Sequence, residues 1–197
     1  MDKKKLDKIN KIIEEFKPIK REETEPSFIK VKAYNYTLKN GDTQKREQIV
    51  KGSKDGSAVI VVPYIGNKLL LVIEPRVFTK RGVSVGFPAG YIEKDETPYD
   101  AALRELEEET GLVPKKLVEV DAFYQDEGCS AAYNHIFIAY NCKHTKEQHL
   151  DEGEYIKYME FTLEEANELE EMGYINSSNC KLALSRARKD GVKWNIL

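Results

Sequence analysis

Gly90-Tyr-Ile-Glu-Lys-Asp-Glu96-Thr-Pro-Tyr-Asp-Ala-Ala-Leu-Arg104-Glu105-Leu106-Glu-Glu108-Glu109-Thr-Gly111-Leu112 crowds acids onto one short helix. Thr97 suits the N-cap and Pro98 the first helical position, and Asp100 adds a carboxylate to the first turn. Gly111 supplies a left-handed stop. At about 100° per residue, Glu105, Glu108 and Glu109 share an arc of roughly 100° with Ala101 beneath them. Tyr99, Ala102, Leu103 and Leu106 take the other side. One face is expected to pack and the other to gather negative charge.

A polar helix face is ordinarily just solvated. Here, however, Glu105 and Glu109 form an i,i+4 like-charge pair, a spacing that costs about a few tenths of a kcal/mol. Neither has a Lys or Arg at helical pairing distance, and Arg104, four residues before Glu108, is the only basic residue on the helix. A bound divalent cation would turn the repulsion into ligation. Hard oxygen ligands, with no His or Cys among them, favour Mg²⁺ or Mn²⁺ over Zn²⁺.

The spacing resembles the Nudix box, which reads glycine, five residues, glutamate, seven residues, Arg-Glu-apolar, one residue, Glu-Glu, one residue, glycine-apolar. Gly90, Glu96, Arg104, Glu105, Leu106, Glu108, Glu109, Gly111 and Leu112 match every fixed position. Seven of these nine positions demand one residue type, so the pattern is far more specific than a short glycine motif. The resemblance implies an α/β/α sandwich with a mixed β-sheet and hydrolysis of a nucleoside diphosphate linked to another moiety. It also implies roles: Glu105, Glu108, Glu109 and the Ala89 carbonyl as metal ligands, with one glutamate able to serve as base. Arg104, Glu96 and Gly90 would orient that set.

Outside the box, Glu74-Pro75-Arg76 and Phe87-Pro88-Ala89-Gly90 look like the ADP-ribose and ADP-sugar pyrophosphatase branch. The resemblance offers Arg76 as a substrate contact; an ion pair with Glu74 is the plainer role for the same residue. The loop Asp126-Glu127-Gly128-Cys129-Ser130-Ala131-Ala132 departs from that branch, with its acids ahead of the glycine and alanines where acids are usual. Either Glu127 or Asp126 then acts as general base, or Glu105 does, or the substrate differs. Two alternatives follow: hydrolysis of nucleoside triphosphates or other nucleotide sugars, and a nucleotide-sensing module that does not hydrolyse its ligand.

The chain has 197 residues, 41% of them hydrophobic and 33% charged, which suits a soluble protein with a full core. A net charge of −3 supplies no electrostatic case for DNA, so the expected partner is a small nucleotide substrate. No apolar run reaches spanning length and the N-terminus lacks a secretory hydrophobic region, pointing to the cytoplasm and away from membranes. Cys129, Cys142 and Cys180 lack CxxC spacing, and His135, His144 and His149 lack metal-ligand spacing.

Leu6, Ile9, Ile12, Ile13 and Phe16 line one face of a helix that Pro18 should end. Phe28 to Leu38 and Thr43 to Val50 read as strands of a hairpin turned at Asn40-Gly41. Ala58 to Tyr64 and Leu69 to Ile73 are apolar enough for strands buried on both faces. Further strands are expected at Leu117 to Tyr124, Ala132 to Tyr140 and Tyr155 to Phe161, and helices after Thr162 and over Ser178 to Lys189. The expected division is an N-terminal helix and hairpin extension, residues 1–55, and a Nudix domain, residues 56–197. In the resembling branch such a hairpin often pairs with a second subunit, so a homodimer is expected.

Overall fold

The computed structural model describes residues 1–52 and 55–193. A helix α1 (Lys3–Phe16) precedes a hairpin of β1 (Ile29–Thr37) and β2 (Thr43–Lys51). Strands β3 (Ala58–Ile65), β4 (Lys68–Pro75), β5 (Val83–Gly86) and β6 (Ala89–Tyr91) lead to α2 (Pro98–Thr110). After it come β7 (Leu112–Val113), β8 (Lys116–Tyr124), β9 (Tyr133–Tyr140), β10 (Lys143–His144) and β11 (Lys157–Phe161), then α3 (Leu163–Glu171) and α4 (Ser178–Lys193).

The main sheet runs β11-β4-β3-β9-β8, with β5 added to β4 and β6 to β3. β3 and β9 are parallel and the remaining pairs antiparallel, giving the mixed sheet expected. The apolar runs have a physical reason: alternate residues serve two cores. Ile60, Val62, Leu69, Leu71, Ile73, Ile136 and Ile138 face α1, α3 and α4 through Ile9, Ile13, Leu169, Ala183 and Leu184. Val59, Val61, Leu70, Val72 and Phe137 face Ala101, Ala102 and Leu106 of α2. This is an α/β/α sandwich, and α1 belongs to one of its helical layers. Each isoleucine that α1 buries contributes about 1.5–3 kcal/mol.

α1 stops at Phe16, ahead of Pro18, and Asp2 caps its start by accepting from the Lys4 amide. The hairpin turns at Gly41, whose φ of 91° suits glycine, and its β1 strand is exposed along its whole length. It touches the rest of the chain where the Ile49 amide donates to the Cys129 carbonyl at 2.7 Å.

Two expectations need correction. Tyr99, assigned to the packing face of α2, is 46% exposed and meets the core edge-on at Phe137. The short strands β5, β6, β7 and β10 were not anticipated, because four residues or fewer carry no periodicity; β6, made of Ala89, Gly90 and Tyr91, reads as loop until it pairs with β3.

Candidate active site

Helix α2 is fixed at both ends as its residues dictate. The Thr97 hydroxyl accepts from the Asp100 amide, Pro98 opens the helix, and Gly111 closes it at φ 68°, ψ 12°. The Gly111 amide donates to the Glu107 carbonyl, and a side chain there would strike the Lys146 carbonyl, 2.4 Å from an added Cβ.

Beside the helix runs β6, and their closeness depends on Gly90. A Cβ on Gly90 would lie 2.0 Å from the Glu105 carboxylate carbon and from one of its oxygens. Backbone and carboxylate are thus pressed together, and any other residue would expel the Glu105 side chain. The Ala89 amide donates to Glu109 Oε2 at 3.3 Å, drawing the second glutamate to the same strand.

Arg104 organises the rest. Its guanidinium grips Glu96 with two bonds, Nε to Oε1 at 2.9 Å and Nη2 to Oε2 at 3.0 Å, and Nη2 also reaches the Tyr91 carbonyl at 3.0 Å. Nη1 donates to Glu105 Oε1 at 2.7 Å and to Glu108 Oε2 at 2.9 Å. Helical spacing alone gave Glu105 no basic partner. The long arginine side chain curls back on its own neighbour, which an i,i+4 rule does not capture.

Electrostatics make this a strained gathering of acids. Burial pushes the Glu105 carboxyl up to about 7, against the lowering by Arg104, while Glu108 and Glu154 add repulsion. Glu109 is only 5% exposed, and burial raises it well above the usual carboxylate range, with Glu74, Glu105 and Glu154 pushing further. Glu74 is raised by burial too, although Arg76 pairs with it at 2.8 Å. Glu96, bonded to Arg104, is held below the usual range.

A cleft of about 310 Å³ collects Arg76, Ala89, Gly90, Arg104, Glu105 and Glu108, and adds Asp151 and Glu154. The Arg76 side chain pairs with Glu74, its plainer expected role, and also lines the cleft. Glu127 is not brought here. It lines a separate cavity of about 380 Å³ with Tyr34, Tyr36 and Arg46 of the hairpin, and Asp126 turns inward on its own loop to accept from Cys129. Neither the cysteines nor the histidines line the acidic cleft.

Glu154 and Asp151 are the acids that sequence reading missed. They sit in the segment 145–156 between β10 and β11, which has no regular structure. A loop of that length in a compact domain was itself a usable signal, because such loops tend to carry function.

The donor set fits a hard divalent cation: carboxylates with no thiolate or imidazole, seated against the backbone that Gly90 lets approach. Among the described residues, no three acidic, His or Cys side chains converge as a ready-made cage. In the arrangement seen, Glu105 and Glu108 are engaged by Arg104, and Glu109 by the Ala89 amide.

The chain is similar to several known proteins. The NUDIX domain model matches residues 54–179. The chain is 41% identical to ADP-ribose pyrophosphatase of Bacillus subtilis (strain 168) over 135 residues, 68% of this chain and 71% of that protein. It is 34% identical to the methanol dehydrogenase activator of Bacillus methanolicus over 160 residues, 80% and 84% of the two chains. It is 30% identical to the ADP-sugar pyrophosphatase of Mus musculus over 120 residues, 57% and 55% of the two chains. The crystal structure of an ADP compounds hydrolase superposes with a TM-score of 0.75 at 23% identity, covering 88% of this chain and 92% of that one, a likeness of fold. With the domain model spanning more than half of its residues and the box complete from Gly90 to Leu112, the chain belongs to the Nudix family and is a Nudix hydrolase.

Proposed function

We propose that the chain hydrolyses ADP-ribose or a related ADP-sugar to AMP and a sugar phosphate, using Mg²⁺ or Mn²⁺. The observation that carries this is the shared cleft, in which Glu105, Glu108, Glu154 and Arg76 surround the backbone at Ala89–Gly90. The names of the Bacillus subtilis and mouse relatives support the choice of an ADP-linked substrate.

In this reading Glu105, Glu108, Glu109 and the Ala89 carbonyl would hold the cation, which when bound would neutralise diphosphate oxygens and acidify a water. Arg104, itself anchored by Glu96, keeps Glu105 and Glu108 aimed, and Arg76 meets the diphosphate. Glu154 takes the proton from the attacking water. The water oxygen forms a new bond to phosphorus as the bridging P–O bond breaks, and the leaving phosphate departs as a monoester. Glu154 replaces Glu127 as the preferred base because it lines the same cleft as Glu105 and Glu108, whereas Glu127 lies with the hairpin tyrosines.

The departure of the 126–132 loop leaves triphosphates and other nucleotide sugars as the second reading. Chromatography of products from a substrate panel with Mg²⁺ decides. AMP and ribose 5-phosphate from ADP-ribose are expected; pyrophosphate from a triphosphate, with ADP-ribose untouched, would overturn the assignment.

The hairpin is assigned to self-association. Phe28, Ile29, Val31 and Tyr36 are exposed on it, Val31 by 65%, and an isolated two-stranded hairpin is marginal in water. Sedimentation should show a dimer that Val31→Asp converts to monomer. A wild-type chain that is monomeric and fully active would contradict this.

A further inference from the structure

The segment 145–156 is fastened to the C-terminal end of α2 by a row of donors. The Thr145 and Lys146 amides donate to the Gly111 carbonyl, both at 3.3 Å, and the His149 amide donates to the Glu108 carbonyl at 2.9 Å. Gln148 differs because its side chain ties two places at once. Its Nε2 donates to the Glu109 carbonyl at 2.6 Å and to the Ile156 carbonyl at 3.2 Å. A carboxamide carries two hydrogens on that nitrogen, so one group can serve both acceptors.

Both acceptors matter for the site. The Glu109 carbonyl is one of the last in α2 and has no donor within the helix. Ile156 is buried immediately before β11. Between the tied points lies the turn Asp151–Glu154, closed by the Glu154 amide on the Asp151 carbonyl at 3.0 Å, with Gly153 at φ 87°. The Asp151 amide in turn donates to the Glu154 carboxylate at 3.2 Å, fixing where that carboxylate points. Gln148 thus closes the base of a loop whose tip carries Glu154, and binds that base to the residue that carries the Glu109 carboxylate.

We propose that Gln148 is a positioning residue for hydrolysis: its carboxamide locks the Asp151–Glu154 turn to the end of the acidic helix, so that Glu154 reaches the attacking water in register with Glu105 and Glu109. This rests on the reading of Glu154 as the base. The turn is exposed and its own bonds are short-range; the Thr145, Lys146 and His149 amides anchor the segment only ahead of the turn, so without Gln148 the stretch after it loses its tie at Ile156 and the Glu154 carboxylate its fixed distance from the helix. Misplacement of a reacting group by about 1 Å can cost on the order of 10²-fold in rate.

The test uses the full chain with ADP-ribose and Mg²⁺. Gln148→Met, which keeps the length and removes both donors, should lower kcat by about 10- to 100-fold with little change in KM. In a Glu154→Gln background it should have no further effect, because the group it positions is already lost. Gln148→Glu, isosteric and ionised, repeats the measurement should the Met variant fold poorly. Wild-type kcat in Gln148→Met, or the same fold-loss in both backgrounds, would overturn the proposal. Independently of turnover, amide exchange across residues 145–156 should quicken in Gln148→Met, and unchanged exchange would also overturn it. Unimpaired kcat in Glu154→Gln removes the reading of Glu154 and the proposal with it, whereas product analysis of the wild-type chain reports separately on the substrate.

Discussion

Glu105→Gln lowers turnover of ADP-ribose by on the order of 10²–10⁴-fold while the chain stays folded. The expectation follows from where Glu105 lies. Its side chain is 13% exposed, wedged beneath Gly90 and facing Arg104. Glutamine has the same shape, so the contact with β6 survives, and Arg104 keeps its bonds to Glu96, Glu108 and the Tyr91 carbonyl. What is lost is one negative ligand. Because that charge is buried among like charges from Glu108 and Glu154, its removal should leave Tm unchanged or raise it. Steady-state assay and a thermal melt on the same sample check both halves. Near-normal turnover would remove Glu105 from the chemistry.

The second large effect is a pH-dependent dependence of stability on divalent cations. The Glu105 carboxyl rises from an ordinary value of 4.5 to about 7 on folding, chiefly through burial, and Glu109 shifts in the same direction. Between these values the unfolded chain has released a proton that the folded chain still holds. The unfolded state binds fewer protons, so stability falls as pH rises from about 4.5 through 7. Each pKa unit is worth about 1.4 kcal/mol, and partial solvent access leaves a net contribution of about 1–3 kcal/mol. A cation replaces the proton as the neutralising group. Mg²⁺ or Mn²⁺ should therefore raise Tm more at pH 8 than at pH 5.5, and chelation should abolish turnover. Equal shifts at both pH values would show that the ions bind elsewhere.

The helix was legible because local signals agreed: Thr97, Pro98 and Gly111 set its ends, and the spacing of Glu105, Glu108 and Glu109 set its charged side. The sandwich was legible for a similar reason, since runs such as Ala58 to Tyr64 are apolar at every position only when both sheet faces are covered. Glu154 was hidden because its approach to Glu105 and Glu109 is made by a long loop, and no sequence period reports where an irregular segment folds back. Glu127 failed as a neighbour for the converse reason. It stands in the loop after β8 that the resemblance pointed to, though ahead of the glycine, and the chain turns it toward Tyr34 and Tyr36 of the hairpin.

Arg104 shows a finer limit. Spacing gave it one partner, Glu108, yet its single guanidinium serves Glu96, Glu105, Glu108 and the Tyr91 carbonyl together. Five fixed donors on one planar group make that possible, and only the close approach of β6 to α2 makes it happen. The role of Gly90 was likewise only half visible. The resemblance gave it a part in orienting the ligand set, and the structure uses its missing side chain to seat a carboxylate.

The central claim, that the acidic face of α2 is a cation site, is tested most directly by Mn²⁺ titration followed by electron paramagnetic resonance at pH 8, on the wild-type chain and on Glu105→Gln. The wild-type chain should take up Mn²⁺ with saturable loss of the free-ion signal, and the variant should bind at least tenfold more weakly. Equal affinity in the two proteins, or no uptake by the wild type, would contradict it.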